Sequence, residues 1–219
     1  MPRNIVPQLG QHSIAVGKTG SGKTTTTVEL LRVIRVRYPI VIIDTKGERA
    51  FDRLGGHVVT DPRKLTLSSL EIYRPEGAMN TAPLLDSVLD AIYQEGRSLY
   101  VYIDELYNVS GGIRPRLGLS NILMRGRERT VHGRQVRLSL LQSTQRPSWI
   151  PGICFTESTH FYCHRLQTRK DRKTIADHLG EELVEAKLTG HEFFYYTPEL
   201  DAPVKTHITL ARPSRERTA

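Results

Sequence analysis

The chain has 219 residues, of which 38% are hydrophobic and 25% charged, a composition typical of a soluble protein with a packed core. Two cysteines are too few for a disulfide framework, and no apolar run reaches the roughly 18 residues that a membrane span needs, so both of those classes are excluded. Lysine and arginine outnumber acidic residues by 31 to 23, and the resulting charge of +8 suits either a polyanionic partner such as nucleic acid or only a solvated basic surface.

The first predicted elements are a short strand over His12–Val16, a glycine-rich loop, and a helix over residues 23–37. The loop reads Gly-Lys-Thr-Gly-Ser-Gly-Lys-Thr over residues 17–24 and matches the phosphate-binding pattern G-x-x-x-x-G-K-[ST]. Its glycines let several backbone N–H groups point at phosphate oxygens, and the helix adds its positive amino end. A glycine-rich turn with a stray lysine is the alternative interpretation, but the motif follows a strand and opens a helix, as phosphate binding requires.

This loop predicts the residues that bind a nucleoside triphosphate, and we expect the nucleotide to be ATP. Lys23 is expected to place a cation on the β and γ phosphates and so to take part in catalysis, while the hydroxyl of Thr24 can ligate Mg²⁺. The predicted nucleotide-binding residues are Gly17, Lys18, Thr19, Gly20, Ser21, Gly22, Lys23, Thr24 and Thr25.

A buried strand and an amphipathic helix follow. The segment Ile-Val-Ile-Ile-Asp over residues 40–44 is apolar on both faces, as a buried parallel strand should be. Weaker strand candidates cover residues 57–60 and 70–73, and helical spacing of leucine, isoleucine and valine covers residues 81–94.

The next predicted strand, over residues 98–103, ends in Asp104 and Glu105. Asp104 would face a bound Mg²⁺ directly or through water, and Glu105 is placed to act as general base on the attacking water. A glutamate directly after this aspartate distinguishes hydrolysing motor ATPases from kinase-like P-loop proteins. The alternative is that the two carboxylates merely end a strand.

The second half of the chain begins with a predicted basic helix over residues 117–131 and a strand over residues 136–141 with a polar tip. In RecA-type sheets this strand lies between those carrying the phosphate loop and the Asp-Glu pair, so its tip can contact the γ-phosphate. Gln145 is the predicted sensor, with Thr144 beside it, unless these residues are only a polar strand end before a proline turn. The remaining predicted elements are a strand over 159–163, helices over 171–179 and 181–188, and strands over 193–196 and 206–210.

Strands that alternate with helices predict an α/β fold with a parallel sheet covered on both faces. Together with the motifs, this indicates a RecA-like P-loop NTPase of the ASCE class with a central, mostly parallel sheet. A single such domain is expected over residues 1–212, followed by a basic, disordered tail over residues 213–219. The eight histidines show no metal-ligand spacing and are most simply structural.

Four segments resemble the FtsK–HerA superfamily of DNA-pumping ATPases and occur in that family's order. They are the phosphate loop, Ile-Ile-Asp-Thr-Lys-Gly-Glu over 42–48, Tyr-Ile-Asp-Glu-Leu-Tyr over 102–107, and Thr-Gln-Arg-Pro over 144–147. The chain looks most like the similarly short genome-packaging ATPases of tailless icosahedral viruses with an internal membrane. FtsK and conjugation coupling proteins carry membrane segments and HerA carries a barrel domain, and neither feature is found in this sequence.

The resemblance also implies an arginine that reaches the γ-phosphate of a neighbouring subunit. Arg127 fits by sequence and by its distance from Asp104, whereas Arg134 fits by its distance to Gln145, so the spacing departs from that of the family. Arg127 is favoured and Arg134 is the second choice, although either could belong to a solvated or DNA-facing basic surface.

Two further segments have open interpretations. The resemblance implies a role at the edge of the site for Asp44 and Lys46, with a structural strand cap as the alternative. The glycine-rich segment over residues 108–118, with Arg114 and Arg116, is a candidate for a loop into the pore of a ring, or an ordinary mobile loop.

The resemblance implies an ATP-driven translocase of double-stranded DNA that packages a viral genome into a preformed capsid. Implied partners are DNA, further copies of the chain in a pentameric or hexameric ring, and a capsid or membrane-embedded portal protein. The expected location is the host cytoplasm or a virion vertex, without direct membrane insertion. Alternatives are a cellular or plasmid FtsK/HerA-like translocase and, from another class, a filamentous-phage-type assembly or secretion ATPase acting on protein.

Overall fold

The structure of the protein is a computed structural model that describes residues 5–181, 183 and 187–207. Its strands, in chain order, are β1 (His12–Val16), β2 (Ile40–Ile43), β3 (His57–Val59), β4 (Leu70–Tyr73), β5 (Leu99–Ile103), β6 (Arg129–Val131), β7 (Arg134–Val136), β8 (Leu138–Thr144), β9 (Ser158–His164), β10 (Phe193–Tyr196) and β11 (Val204–Thr206). Its helices are α1 (Lys23–Ile34), α2 (Arg49–Asp52), α3 (Ala82–Gln94), α4 (Leu106–Ser110), α5 (Leu117–Arg125), α6 (Ile153–Thr156) and α7 (Arg169–Leu179). Short 3-10 turns lie at Pro62–Lys64, Gly77–Met79 and Pro147–Trp149.

A nine-stranded sheet with the order β11-β10-β9-β1-β8-β5-β2-β4-β3 organises the chain. The strands from β3 to β9 in this order run parallel, and β10 and β11 extend the sheet antiparallel beyond β9. The glutamine strand β8 lies between the phosphate-loop strand β1 and the Asp-Glu strand β5, which confirms the predicted RecA-type order.

Helices cover both faces of this sheet, because its central strands are apolar on both sides. On one face, α1 packs Val28, Leu31 and Ile34 into a cluster with residues of β2, β4 and β5. On the other face, α3 places Leu85 and Leu89 in the largest cluster, together with residues of α4, α5, α6 and α7. The predicted fold class, a mostly parallel sheet between two helical layers, is confirmed.

The predicted helix over residues 117–131 is wrong in its second half. Helix α5 ends at Arg125, and β6 and β7 form a separate two-stranded antiparallel sheet. The two residues of the turn, His132 and Gly133, have φ angles of 48° and 75°. Positive φ at both positions is the geometry of the tight hairpin turns whose twist matches that of the strands, and β-branched residues precede the turn. The sequence is therefore locally better suited to a hairpin than to a third helical turn.

Other differences concern element ends and short helices. Helix α1 ends at Ile34 rather than at residue 37, and the N–H groups of Arg37 and Tyr38 both donate to the carbonyl of Ile34 in a closing turn. The short helices α2, α4 and α6 were not predicted, because one helical turn has no readable period. Of the predicted helix over 181–188, residue 183 is helical, residues 181, 187 and 188 are not, and the other four lie outside the described residues. Residues 208–210 and the predicted tail also lie outside them. In the described part of the chain, none of the helices is both long and apolar enough to span a bilayer.

Candidate active site

Apart from the two candidate arginines, the predicted site residues converge at the carboxyl edge of the sheet. The phosphate loop follows β1, Gln145 follows β8, and Asp104 and Glu105 follow β5, and these three strands are neighbours. Strand β2, next to β5, adds Lys46 just beyond its carboxyl end. Ligands of open parallel sheets bind at this edge, because loops from adjacent strands meet there.

The phosphate loop is curled by its glycines and held by its neighbours. Gly20 and Gly22 have φ angles of 72° and 94°, which only glycine adopts readily. The N–H of Gly17 donates to the carbonyl of Thr144 at 3.2 Å, and the N–H of Lys18 donates to the carbonyl of Arg165 at 2.9 Å. The loop is thereby fixed to the strands on both sides of β1.

The loop opens onto a cleft of about 230 Å³. The cleft is lined by Lys18, Thr19, Gly20, Gly22, Lys23, Thr24, Thr25, Lys46, Glu48, Gln145 and His191. The other two predicted loop residues, Gly17 and Ser21, do not line the cleft but help to set the shape of the loop. A Cβ atom on Gly17 would lie 2.6 Å from the Cβ of His164, and the Ser21 hydroxyl donates to the Lys18 carbonyl at 2.7 Å. Seven of the nine predicted nucleotide-binding positions therefore line the cleft.

Lys23 is the buried cation of the cleft. Its Nζ lies 3.5 Å from the hydroxyl of Ser143 on β8. Burial lowers the pKa of Lys23, and the negative charge of Asp104 partly offsets this effect. An ammonium group with so few protein partners is available to phosphate oxygens.

Asp104 is buried, and its two oxygens differ. Oδ1 accepts a hydrogen bond of 3.2 Å from the hydroxyl of Tyr102, whereas Oδ2 has no hydrogen-bond donor among the described residues and lies 3.7 Å from the Nζ of Lys46. Burial raises the pKa of Asp104, and the lysine charges at Lys46 and Lys23 act in the opposite direction. A buried carboxylate oxygen without a donor, in a site that also offers the Thr24 hydroxyl, fits a Mg²⁺ ion bound largely by phosphates and water.

Glu105 is held by three contacts. Its Oε1 accepts a hydrogen bond of 2.8 Å from the hydroxyl of Thr144 and one of 3.4 Å from the backbone N–H of Gln145. Its Oε2 accepts a hydrogen bond of 3.1 Å from the Nζ of Lys46. Burial alone would lower the pKa of Lys46, but Asp104 and Glu105 outweigh it and raise that pKa, so the contact is an ion pair.

Gln145 bridges the tip of β8 to the phosphate loop. Its Oε1 accepts a hydrogen bond of 2.8 Å from the hydroxyl of Thr19. Gln142, by contrast, is turned away from the cleft and donates to the carbonyl of Cys154 at 2.9 Å. The two glutamines of this strand therefore lie in different environments, and only Gln145 lines the cleft.

The two candidate arginines lie at the opposite, amino edge of the sheet. Arg127 donates to the carbonyl of Glu157, just before β9, at 2.7 Å and pairs with the Glu157 carboxylate at 3.3 Å. Arg134 is exposed beside the turn of the β6–β7 hairpin. Because five strand residues span about 15 Å, neither side chain contacts the cleft of its own chain.

Asp44 and Lys46 have different roles. Asp44 Oδ1 accepts hydrogen bonds from the backbone N–H groups of Gly47 at 2.9 Å and Glu48 at 3.0 Å, and Oδ2 accepts one of 2.8 Å from Arg74. Asp44 is thus a structural cap that shapes the loop after β2. The side chain of Lys46 belongs to the site.

Sequence reasoning missed His191 and the contact of Lys46 with Glu105. His191 precedes β10 and lies against the start of α1, since a Cβ atom on Gly22 would be 2.6 Å from its Nδ1. No local pattern marks His191, because the contact depends on how β10 is placed along the sheet.

The chain is similar to several known proteins. The family model of the central domain of helicase HerA matches residues 5–121. The DNA packaging ATPase P9 of Enterobacteria phage PRD1 is 27% identical over 175 residues, which cover 78% of this chain and 70% of that protein. The genome packaging NTPase B204 from Sulfolobus turreted icosahedral virus 2, solved with AMPPCP, has a TM-score of 0.72 at 16% identity, covering 95% of this chain and all of that one. The pCW3 conjugation coupling protein TcpA has a TM-score of 0.63 at 14% identity, covering 91% of this chain and 60% of that one.

Proposed function

The chain belongs to the family of the helicase HerA central domain, and from this we propose that it is an ATP-driven motor that packages double-stranded viral DNA into a preformed capsid. The observation that carries the proposal is that Lys23 and Gln145 line one cleft at the carboxyl edge of the sheet, while Glu105 lies beside it and is hydrogen-bonded to Lys46 and to the backbone of Gln145. The 27% identity to a phage DNA packaging ATPase supports packaging as the task.

The chemistry follows from the positions of these side chains. Backbone N–H groups of the loop and the Lys23 ammonium bind the β and γ phosphates and stabilise the charge that develops on them. Glu105 accepts the proton of the attacking water, and Gln145, already bonded to Thr19 of the loop, reports whether the γ-phosphate is present.

Thr24, through its hydroxyl, and Asp104, through Oδ2, are the residues that would hold Mg²⁺. The ion would supply positive charge that offsets the charge of the phosphates. Among the described residues there is no cluster of three or more His, Cys, Asp or Glu side chains that could hold an ion alone, which is consistent with an ion that arrives with the nucleotide.

The site requires a second copy of the chain. No arginine of the described residues lines the cleft, and Arg127 and Arg134 lie at the other edge of the sheet. We infer that the arginine that stabilises the transition state comes from a neighbour, as in a pentameric or hexameric ring. The charge of +8 suits electrostatic binding of DNA by such a ring.

The partners that this function requires are double-stranded DNA and a capsid or membrane-embedded portal protein. The motor would act in the host cytoplasm, at the vertex of the capsid being filled. DNA recognition would be through phosphates and indifferent to sequence, because the sequence contains no base-reading motif.

The decisive experiment measures the ATPase rate with and without double-stranded DNA at several protein and salt concentrations. We expect stimulation by DNA, a rate per subunit that rises with protein concentration, and stimulation that weakens steeply as salt increases. Random-sequence duplexes of equal length serve as matched substrates and should stimulate equally. Hydrolysis that DNA leaves unchanged would favour an ATPase that acts on protein and would overturn the proposal.

A further inference from the structure

The catalytic glutamate is covered by a lysine. Both oxygens of Glu105 already accept hydrogen bonds, and the one on Oε2 comes from the ammonium of Lys46 at 3.1 Å. An ammonium paired with a carboxylate oxygen occupies one of its lone pairs and lowers its affinity for a proton. Glu105 is therefore a weaker base while Lys46 contacts Oε2, and it becomes a stronger one when Lys46 leaves.

The backbone around Lys46 is fixed. Asp44 binds the N–H groups of the residues that follow Lys46, at 2.9 and 3.0 Å. The preceding residue, Thr45, accepts a hydrogen bond from Asn80 on its carbonyl at 3.1 Å and one from Asn108 on its hydroxyl at 2.8 Å. Movement at this position is consequently a movement of the lysine side chain alone.

The lysine side chain also has room to move. It is 31% exposed, whereas the side chains of its partners Asp104 and Glu105 are 1% and 10% exposed. Lys46 lines the same cleft as Lys23, Thr24 and Gln145. A triphosphate in this cleft would offer anionic oxygens within reach of an ammonium that is now paired with carboxylates.

We propose that Lys46 is a positioning residue that senses the γ-phosphate. When the γ-phosphate is absent, Lys46 restrains Glu105. When the γ-phosphate is bound, Lys46 moves to it and frees Oε2 of Glu105. The inference rests on the proposed ATPase function and deepens it. A diphosphate has no γ-phosphate, so Lys46 stays on Glu105 after product formation and the site rests between cycles.

The first test compares equilibrium affinities for ATPγS and ADP, measured by calorimetry for the wild type and Lys46→Met. The ratio of the ADP to the ATPγS dissociation constant should fall by about tenfold or more, because a charge-assisted contact made only by the triphosphate is lost. Arg49→Met is the matched control, since it removes an exposed cation three residues away at the first residue of α2, and it should leave the ratio unchanged.

The second test asks whether Lys46 and Glu105 are coupled. Glu105→Gln removes the ion pair that restrains Lys46, so it should tighten ATPγS binding a few fold when Lys46 is present. In the Lys46→Met background the same change should have no such effect. Additive effects of the two substitutions would overturn the proposal, because a lysine with a purely structural role predicts no coupling to triphosphate affinity.

Lys46→Met leaves two buried carboxylates with less positive charge nearby, which could prevent folding. In that case the comparison is made between Glu105→Gln and Lys46→Met/Glu105→Gln, in which one of those carboxylates is neutral. The ratio of the ADP to the ATPγS dissociation constant should still be about tenfold lower in the double variant, and an unchanged ratio would overturn the proposal. A wild-type protein that binds no nucleotide would refute the ATPase function itself, whereas normal wild-type binding with an unaltered ratio in the variants would refute only the role of Lys46.

Discussion

At the scale of single residues, the proposed function assigns phosphate binding and water activation to different side chains. Lys23 is buried at the start of α1, and Glu105 is reached from the other side by Thr144 and Gln145. Substitutions at these two positions should therefore affect different kinetic constants.

Glu105→Gln should leave ATP affinity within a few fold of the wild type but reduce turnover by roughly 10² or more, because the amide keeps the shape and loses the base. Steady-state ATPase rates and an equilibrium titration check the two parts. Glu76→Gln, an exposed glutamate at the carboxyl edge of the sheet, is the matched control and should turn over normally. Near-normal turnover of Glu105→Gln would remove this residue from the mechanism.

Lys23→Ala should abolish tight nucleotide binding, because the β and γ phosphates lose the buried cation of the loop. Titration with a fluorescent ATP analogue measures the loss. Lys64→Ala removes an exposed lysine at the end of a 3-10 turn, outside the residues that line the cleft, and should bind like the wild type. If Lys23→Ala bound with unchanged affinity, the assignment of the phosphate loop would be incorrect.

At the scale of elements, the β6–β7 hairpin decides how the candidate arginines are presented. Arg127 precedes the hairpin and is already engaged by Glu157, through both its carbonyl and its carboxylate. Arg134 begins β7, directly after the two-residue turn, and is exposed. A side chain beside a tight turn can enter a neighbour's cleft without breaking an existing ion pair. We therefore propose Arg134 for this role, whereas the sequence analysis favoured Arg127.

Arg134→Ala should still bind ATP and assemble, yet hydrolyse ATP roughly 10³-fold more slowly, because it lacks the arginine that would reach the neighbour's γ-phosphate (the arginine finger). When it is mixed with Glu105→Gln, partial activity should return, since some sites then combine an intact Glu105 with an intact arginine finger from the neighbour. The measurement is the ATPase rate of the mixture against those of the two proteins alone.

Arg127→Ala is the control variant, and it should not complement Glu105→Gln if Arg127 serves only the contact with Glu157. Complementation by Arg127→Ala alone would assign the finger to that position instead. If neither variant complemented while mixed rings formed, the arginines would belong to a DNA-facing surface.

At the scale of the whole molecule, the sheet buries three histidines in their neutral form. Burial lowers the pKa of His12, His160 and His164 to about 4. Two of them bridge parts of the chain that are distant in sequence: His160 contacts Tyr195 at 2.8 Å and Gln11 at 2.9 Å, and His164 contacts the carbonyl of Ser21 at 3.0 Å. Protonation of these rings is tied to the integrity of the sheet.

The free energy of unfolding should therefore fall as the pH is lowered from about 6.5 to about 4, since the unfolded chain binds protons in this window that the folded chain excludes. Each histidine contributes up to about 3 kcal/mol over the window. Asp104, with its raised pKa, acts in the opposite direction but is a single group. Urea unfolding at pH 7, 6 and 5 measures the trend, and a stability independent of pH would contradict the buried, neutral state of these rings.

The sequence by itself determined the features that depend on short segments. The phosphate loop, the buried strand before Asp104 and Glu105, and the polar tip with Gln145 each lie within a few consecutive residues, and their order along the chain indicated the family. Alternation of strand and helix patterns was sufficient for the fold class, because hydrophobic burial is read locally from the period of apolar residues.

Only the tertiary structure decided which distant side chains meet. The ion pair of Lys46 with Glu105 joins residues 59 positions apart, and His191 reaches the start of α1 from the antiparallel end of the sheet. The hairpin at His132 and Gly133 likewise replaced the second half of a predicted helix, and it places Arg134 beside its turn. Such contacts depend on strand order and on side-chain directions, and no local sequence pattern encodes either of them. Sequences with the same spacing of buried apolar residues can bring their polar side chains against different partners.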